Sequence, residues 1–201
     1  MAGKENKRDL ILLALERLLP GRRFHEITLE EVAREAQVGK GTIYLYFKDK
    51  DALFAEMTFS RAEALCAALE TLRNDDVPER LLDRAAALIE EFLARHRSWF
   101  GAQTELAAHV MRLEQDYETR RTALQEKLFV TLSGLLSRAL DRPENDCRTP
   151  ARILLWLIFG RTSAEACCEN DVPDWAEVRD FFRRGVAPNS DDRPRTGTKT
   201  E

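Results

Sequence analysis

The sequence lacks any apolar run long enough to cross a membrane. Its longest, Ile153 to Phe159, is bounded by Arg152 and by Gly160-Arg161, far short of the roughly 20 residues that a spanning helix needs. A secretory leader is not expected either: Leu10 to Leu15 is apolar, but Asp9 and Glu16 bracket it and no small-residue cleavage site follows. A cytoplasmic protein is the expectation. Cysteine is scarce, with Cys66, Cys147, Cys167 and Cys168 forming no Cys-x-x-Cys pair and having no histidine at zinc-finger spacing, which argues against a disulfide framework and a metal site. The three histidines, His25, His96 and His109, make no His-x-x-x-His or Glu-x-x-His pairing, so a di-iron bundle would have no ligand set. A glycine-rich phosphate loop and a nucleophile elbow are missing too. No enzyme, metal or cofactor is expected on these grounds. Nor is there a charge excess of consequence: 31 Lys and Arg against 35 Asp and Glu give a net charge of −4, so a nucleic-acid surface has to be a local patch.

Alternation with a period of two is nearly absent, and what is present is apolar spacing of three and four along almost every long segment. The chain reads as all-α. Leu10, Ile11, Ala14, Leu15, Leu18 and Leu19 form a first stripe that stops at Pro20-Gly21. Thr28 and Glu31 make a capping box for a short helix over 28–36, whose apolar face is Leu29, Val32, Ala33 and Ala36. Lys40 to Phe47 is long enough for two turns, and Asp49 is placed to cap a long helix running to Leu72. After a break at residues 74–78, Leu82, Ala85, Ile89, Phe92, His96 and Phe100 line one face of the next helix. Further helices are expected near 101–113, over 117–140, over 151–168 and over 175–186, with a loop between 141 and 150 and a disordered tail over 188–201.

Two short helices joined by a three-residue turn form a helix-turn-helix pattern. On the second, at about 100° per residue, Ile43 and Phe47 share a packing face while Gly41, Thr42, Tyr44 and Leu45 share the other. A glycine on an exposed helix face costs about 1 kcal/mol relative to alanine, and close approach of another backbone is a reason to keep it. DNA would supply that backbone. Hydroxyls on Thr42, Tyr44 and Tyr46 and ammonium groups on Lys40, Lys48 and Lys50 are of the types that meet phosphates and base edges around a major-groove helix.

This block resembles the TetR (tetracycline-repressor-like) family of transcriptional regulators. Ile27-Thr28, Val32-Ala33, Ala36, Val38, Gly41-Thr42-Ile43-Tyr44, Tyr46-Phe47, Lys50 and Leu53 stand as the family motif has them, over one gapless stretch. The resemblance implies groove contacts from Lys40, Gly41, Thr42, Tyr44 and Leu45, phosphate contacts from Thr28, Tyr46 and Lys50, and internal packing for Ile43 and Phe47. Lys48 and the helix-capping Gly39 complete the expected DNA-binding set. The family writes Ala-Gly-Val-Ser through the turn where this chain has Ala36-Gln37-Val38-Gly39. Gln37 is therefore expected to take a left-handed conformation, and Gly39 to cap without a hydroxyl for a phosphate.

The expected organisation is a helix-turn-helix DNA-binding domain over 1–50, a helical ligand-binding and dimerisation domain over 51–187, and the tail. Residues 1 to 57 carry ten basic and ten acidic side chains, so the reading surface is a patch on a neutral domain. A reader of this kind needs two copies, because one short helix spans too few base pairs. Ile153 to Phe159 is apolar all the way round and so needs cover on more than its core side, and Trp175, Val178, Phe181 and Phe182 follow. The resemblance implies that the last two long helices pair across a two-fold axis. It also implies an inducer pocket in the middle of the chain, for which Phe92, His96, Trp99, Phe100, His109, Met111, Tyr117 and Trp156 are the candidate lining. The sum is a homodimeric, ligand-responsive repressor of a palindromic operator. The rival reading is a helical small-molecule-binding bundle that does not bind DNA.

Overall fold

The computed structural model describes residues 6–74, 77–96, 115–167 and 172–186. Among the described residues every regular element is helical. The first helix, α1 (Lys7–Leu18), is capped by Asn6, whose side chain accepts from the Arg8 N–H at 3.2 Å. Asp9 in its first turn and Arg17 in its last complement the helix dipole. It stops ahead of Pro20, and Gly21 takes φ 73°, open to glycine without strain. A 3-10 turn at Phe24–Glu26 leads into α2 (Leu29–Glu35), and the short helix α3 (Lys40–Tyr44) follows. α3 is shorter than the expected 40–47. Its end tightens into i to i+3 bonds, Leu45 N–H to Thr42 O at 3.3 Å and Tyr46 N–H to Ile43 O at 3.0 Å. Gln37 lies at φ 54°, the left-handed conformation that the turn sequence predicts.

The long helix α4 (Lys50–Thr71) begins at Asp49, whose carboxylate accepts from the Ala52 N–H at 2.7 Å. α5 (Pro78–Arg95) opens on a proline at a position where no N–H is needed. It ends at Arg95 with His96 as its C-cap, short of the expected extension to Phe100. Phe100, the helix expected near 101–113, Cys168 and the tail over 188–201 lie outside the described residues. α6 (Gln115–Leu140), α7 (Arg148–Cys167) and α8 (Trp175–Val186) complete the body. The expected loop over 141–150 is largely structured, with a 3-10 turn at Glu144–Cys147 and α7 starting two residues ahead of Pro150. A proline in the first helical turn forfeits no hydrogen bond, so it does not mark the boundary.

Two apolar cores result. One joins Ile11, Leu15, Val32, Ile43 and Phe47 of the first three helices and their turns to Leu53, Phe54 and Met57 of α4. The other joins Leu65 and Leu69 of α4 to Leu81 and Ile89 of α5, Leu132 and Leu136 of α6, Leu154 and Ile158 of α7, and Phe182 of α8. α6 is the central member of the body, packing on α4, α5 and α7. Cys66 and Cys147 are free and buried in these layers, and burial raises both thiols above their ordinary values. Among the described residues no helix is long and apolar enough to cross a membrane, and no three His, Cys, Asp or Glu side chains gather as a metal site.

Candidate nucleic-acid interface

α3 turns one face inward and leaves the other uncovered among the described residues. Ile43 is fully buried and Phe47 nearly so, while Tyr44 is 52% exposed, Leu45 82% and Tyr46 43%. A Leu that exposed contributes nothing to the core. Gly39, Lys40, Gly41 and Lys48 are exposed and Thr42 is half-buried. A Cβ built on Gly41 would meet nothing within 4 Å. Among the described residues no contact therefore requires a glycine there, and the space it keeps clear faces outward.

Thr28 works hard locally. Its Oγ1 accepts from the Glu31 N–H at 3.2 Å and donates to Glu31 Oε2 at 3.0 Å, and Glu31 accepts the Thr28 N–H at 2.9 Å. These bonds, with Arg22 at 3.1 Å, hold the Glu31 carboxyl below its ordinary value. Sequence reasoning missed Glu30, whose carboxylate accepts from the Lys40 ammonium at the start of α3. The bond lowers the Glu30 carboxyl and raises the Lys40 ammonium. It tethers the first basic group of α3. Spacing of ten residues across a turn gives no periodic signal for such a pair.

Lys50 is placed differently from the other lysines. Its ammonium donates to Phe24 O at 2.9 Å, His25 O at 3.3 Å and Ile27 O at 2.9 Å, and lies 4.5 Å from the centre of the Phe24 ring. Three N–H donors meet three carbonyls. The group ties the turn that presents Thr28 to the first turn of α4.

Of the candidate ligand residues, Phe92 and His96 come together, with ring centroids 4.7 Å apart, on the wall of a 580 Å³ cavity between α1, α4 and α5. His96 is 4% exposed; burial, with the Arg61 and Arg95 guanidiniums, lowers it to about 4, so the imidazole is neutral at pH 7. Tyr117 is not on that wall. Its ring meets that of Phe59 at a tilt of 42°, centroids 5.0 Å apart, and burial raises its hydroxyl above the ordinary tyrosine value. Trp156 is 72% exposed because α7 turns Ala151, Leu154 and Ile158 to the core and Ile153 and Trp156 to the opposite side. Trp99, Phe100, His109 and Met111 lie outside the described residues.

A three-helix head with a helix-turn-helix, seated on a helical body, places the chain among all-α helix-turn-helix proteins. Residues 11–57 match the sequence profile of the bacterial regulatory proteins of the tetR family. An HTH-type transcriptional regulator EthR of Mycolicibacterium smegmatis is 22% identical over 69% of this chain and 63% of its own. An HTH-type transcriptional regulator of Haemophilus influenzae is 41% identical over 28% of this chain and 34% of its own. The chain thus matches less than two thirds of the length of these curated relatives. Among solved structures, the transcriptional regulator FadR of Bacillus subtilis, in complex with stearoyl-CoA, superposes with a TM-score of 0.63 at 16% identity, covering 90% of this chain and 97% of that one. At that identity the likeness is one of fold.

Proposed function

We propose that the chain is a homodimeric, ligand-responsive DNA-binding regulator that represses from a palindromic operator and is released by a small molecule. The observation that carries this reading is the outward face of α3, where Gly41 clears space that none of the described residues fills and Tyr44 and Leu45 stand exposed beside it. Lys40, Gly41, Thr42, Tyr44 and Leu45 enter the major groove in this reading, and Thr28, Gly39, Tyr46 and Lys48 meet the flanking backbone. Lys50 reaches a phosphate only by giving up a carbonyl, so its part is to position the Thr28 turn. The second copy is held through residues 151–187: Ile153 and Trp156 of α7 and Phe181 of α8 are exposed apolar side chains that a partner would cover. Two heads so joined address half-sites about 34 Å or more apart.

A small molecule in the body favours a population whose heads are wrongly spaced for both half-sites, α4 being the element common to head and body. The Bacillus subtilis regulator of like fold is recorded with stearoyl-CoA, which supports a receptor role for the body here. The action is thus expected in the cytoplasm, where the DNA is, and without catalysis. Selection of bound duplexes from a random pool at two salt concentrations tests the reading. Enrichment of an inverted repeat is the expected result. No binding at either salt would overturn it in favour of a ligand-binding bundle without DNA.

A further inference from the structure

We infer that the cavity between α1, α4 and α5 binds a small amphipathic anion, an apolar body with one carboxylate or sulfonate group, in direct contact with the back of the reading head. This deepens the receptor role proposed above and rests on it only for the effect on DNA. α1 contributes Leu13 and Glu16, α4 Ala64 and Leu65, and α5 Phe92 and His96. The volume, 580 Å³, falls within the about 300–1,000 Å³ of small-molecule sites. Its lining is predominantly apolar, which suits a hydrocarbon or aromatic body.

The charges choose the sign. Arg17, Arg61 and Arg95 face the cavity with Glu16 and Glu91. Glu16 is taken by Arg61, which donates its Nε–H at 2.8 Å, and Glu91 is taken by Arg95 one helical turn on. The partner of Arg17 is Glu35, at 3.5 Å and outside the lining. Among the described lining residues three guanidiniums thus stand against two carboxylates, and the third, Arg17, is answered only from outside the lining. His96, kept neutral by burial and then by Arg61 and Arg95, adds a ring that donates or accepts a hydrogen bond without adding charge. A cationic ligand would add to the excess, and a dianion would exceed it.

Location gives the site its consequence. Ile11, Leu12, Ala14 and Leu15 of α1 are buried in the head, while Leu13 and Glu16 between and beyond them face the cavity. A molecule lodged there bears on the same helix that carries the head's core. It also meets the Glu16–Arg61 ion pair that ties α1 to α4.

Titration of the full-length protein with anilinonaphthalenesulfonate, a fluorescent apolar monoanion, tests this. One molecule should bind per chain, and octanoate should displace it while octylammonium does not. Filling the cavity by Ala68→Phe should weaken binding at least about tenfold with the thermal midpoint unchanged, and Ala64→Phe serves as the second filling should the first fail to fold. Arg17→Gln should weaken octanoate about threefold to fivefold, as for a partly exposed charge contact. Binding that survives both fillings, or displacement by octylammonium equal to that by octanoate, would overturn the inference. Selection of duplexes is read separately: a chain that selects an inverted repeat yet fails here loses the cavity site alone, and one that binds the anion here yet selects no duplex keeps the cavity site and loses the DNA reading alone.

Discussion

Gly41 and Lys50 are conspicuous for opposite reasons, one leaving room where a side chain would meet none of the described residues and the other touching three carbonyls and a ring. Replacing Gly41 by alanine removes backbone freedom from a helical position and adds a methyl group to open space. The expected outcome is a head stabilised by up to about 1 kcal/mol in urea unfolding, together with weaker binding to the selected duplex. A variant that is more stable and binds as before would show that the glycine serves no close approach. Lys50→Ala strands three carbonyls, two of them in partly buried bonds, and should cost about 2 kcal/mol of stability. The salt dependence of its DNA affinity should be unchanged. Lys48→Ala, by contrast, should lower the salt slope by about one. A lowered slope for Lys50→Ala at full stability would return that lysine to the phosphates.

Helix ends were the most legible elements, because a cap is a local event. Thr28 with Glu31 and Asp49 with the Ala52 N–H announce themselves by residue type and spacing, and both form as expected. The turn between α2 and α3 was legible for the same reason: with glycine absent at position 37, Gln37 has to take the left-handed conformation itself. Contacts between helices were not legible. Lys50 meets carbonyls more than twenty residues away, and Glu16 meets Arg61 and stands 3.7 Å from His96 only because α1, α4 and α5 converge. His96 on an apolar face was visible; its neutral state follows from that convergence. Unfolding returns it to its ordinary value near 6.5, so between about 6.5 and 4 the unfolded chain takes up a proton that the folded chain refuses. The contribution of this group is complete above 6.5 and is lost as the pH falls to about 4, a loss on the order of 3 kcal/mol. Urea midpoints measured across that window should fall more steeply for the native sequence than for His96→Gln. Parallel curves would mean that the imidazole takes up its proton in the folded chain as readily as in the unfolded one.

At the scale of the whole molecule, assembly is the property that the exposed side chains of α7 and α8 put to the test. Trp156→Glu places a charge where a partner is proposed to sit and, Trp156 being 72% exposed, gives up within the chain chiefly an edge-on contact with Phe159. Sedimentation should show a monomer with native helix content, and operator affinity should fall by more than about a hundredfold as the two heads are uncoupled. A dimer that persists unchanged would move the interface elsewhere. Head and body are also joined by charge, since Glu56 of α4 accepts from Arg8 of α1 and from Arg120 of α6. Yet the stronger bond between them is α4 itself, whose Leu53, Phe54 and Met57 complete one core and whose Leu65 and Leu69 complete the other. The head is therefore portable only with a length of its neighbour attached. Cut after residue 50, a fragment leaves those three side chains behind and has no closed interior; cut after residue 60, it keeps them, and a recombination joining this head to another body would have to fall inside a continuous helix.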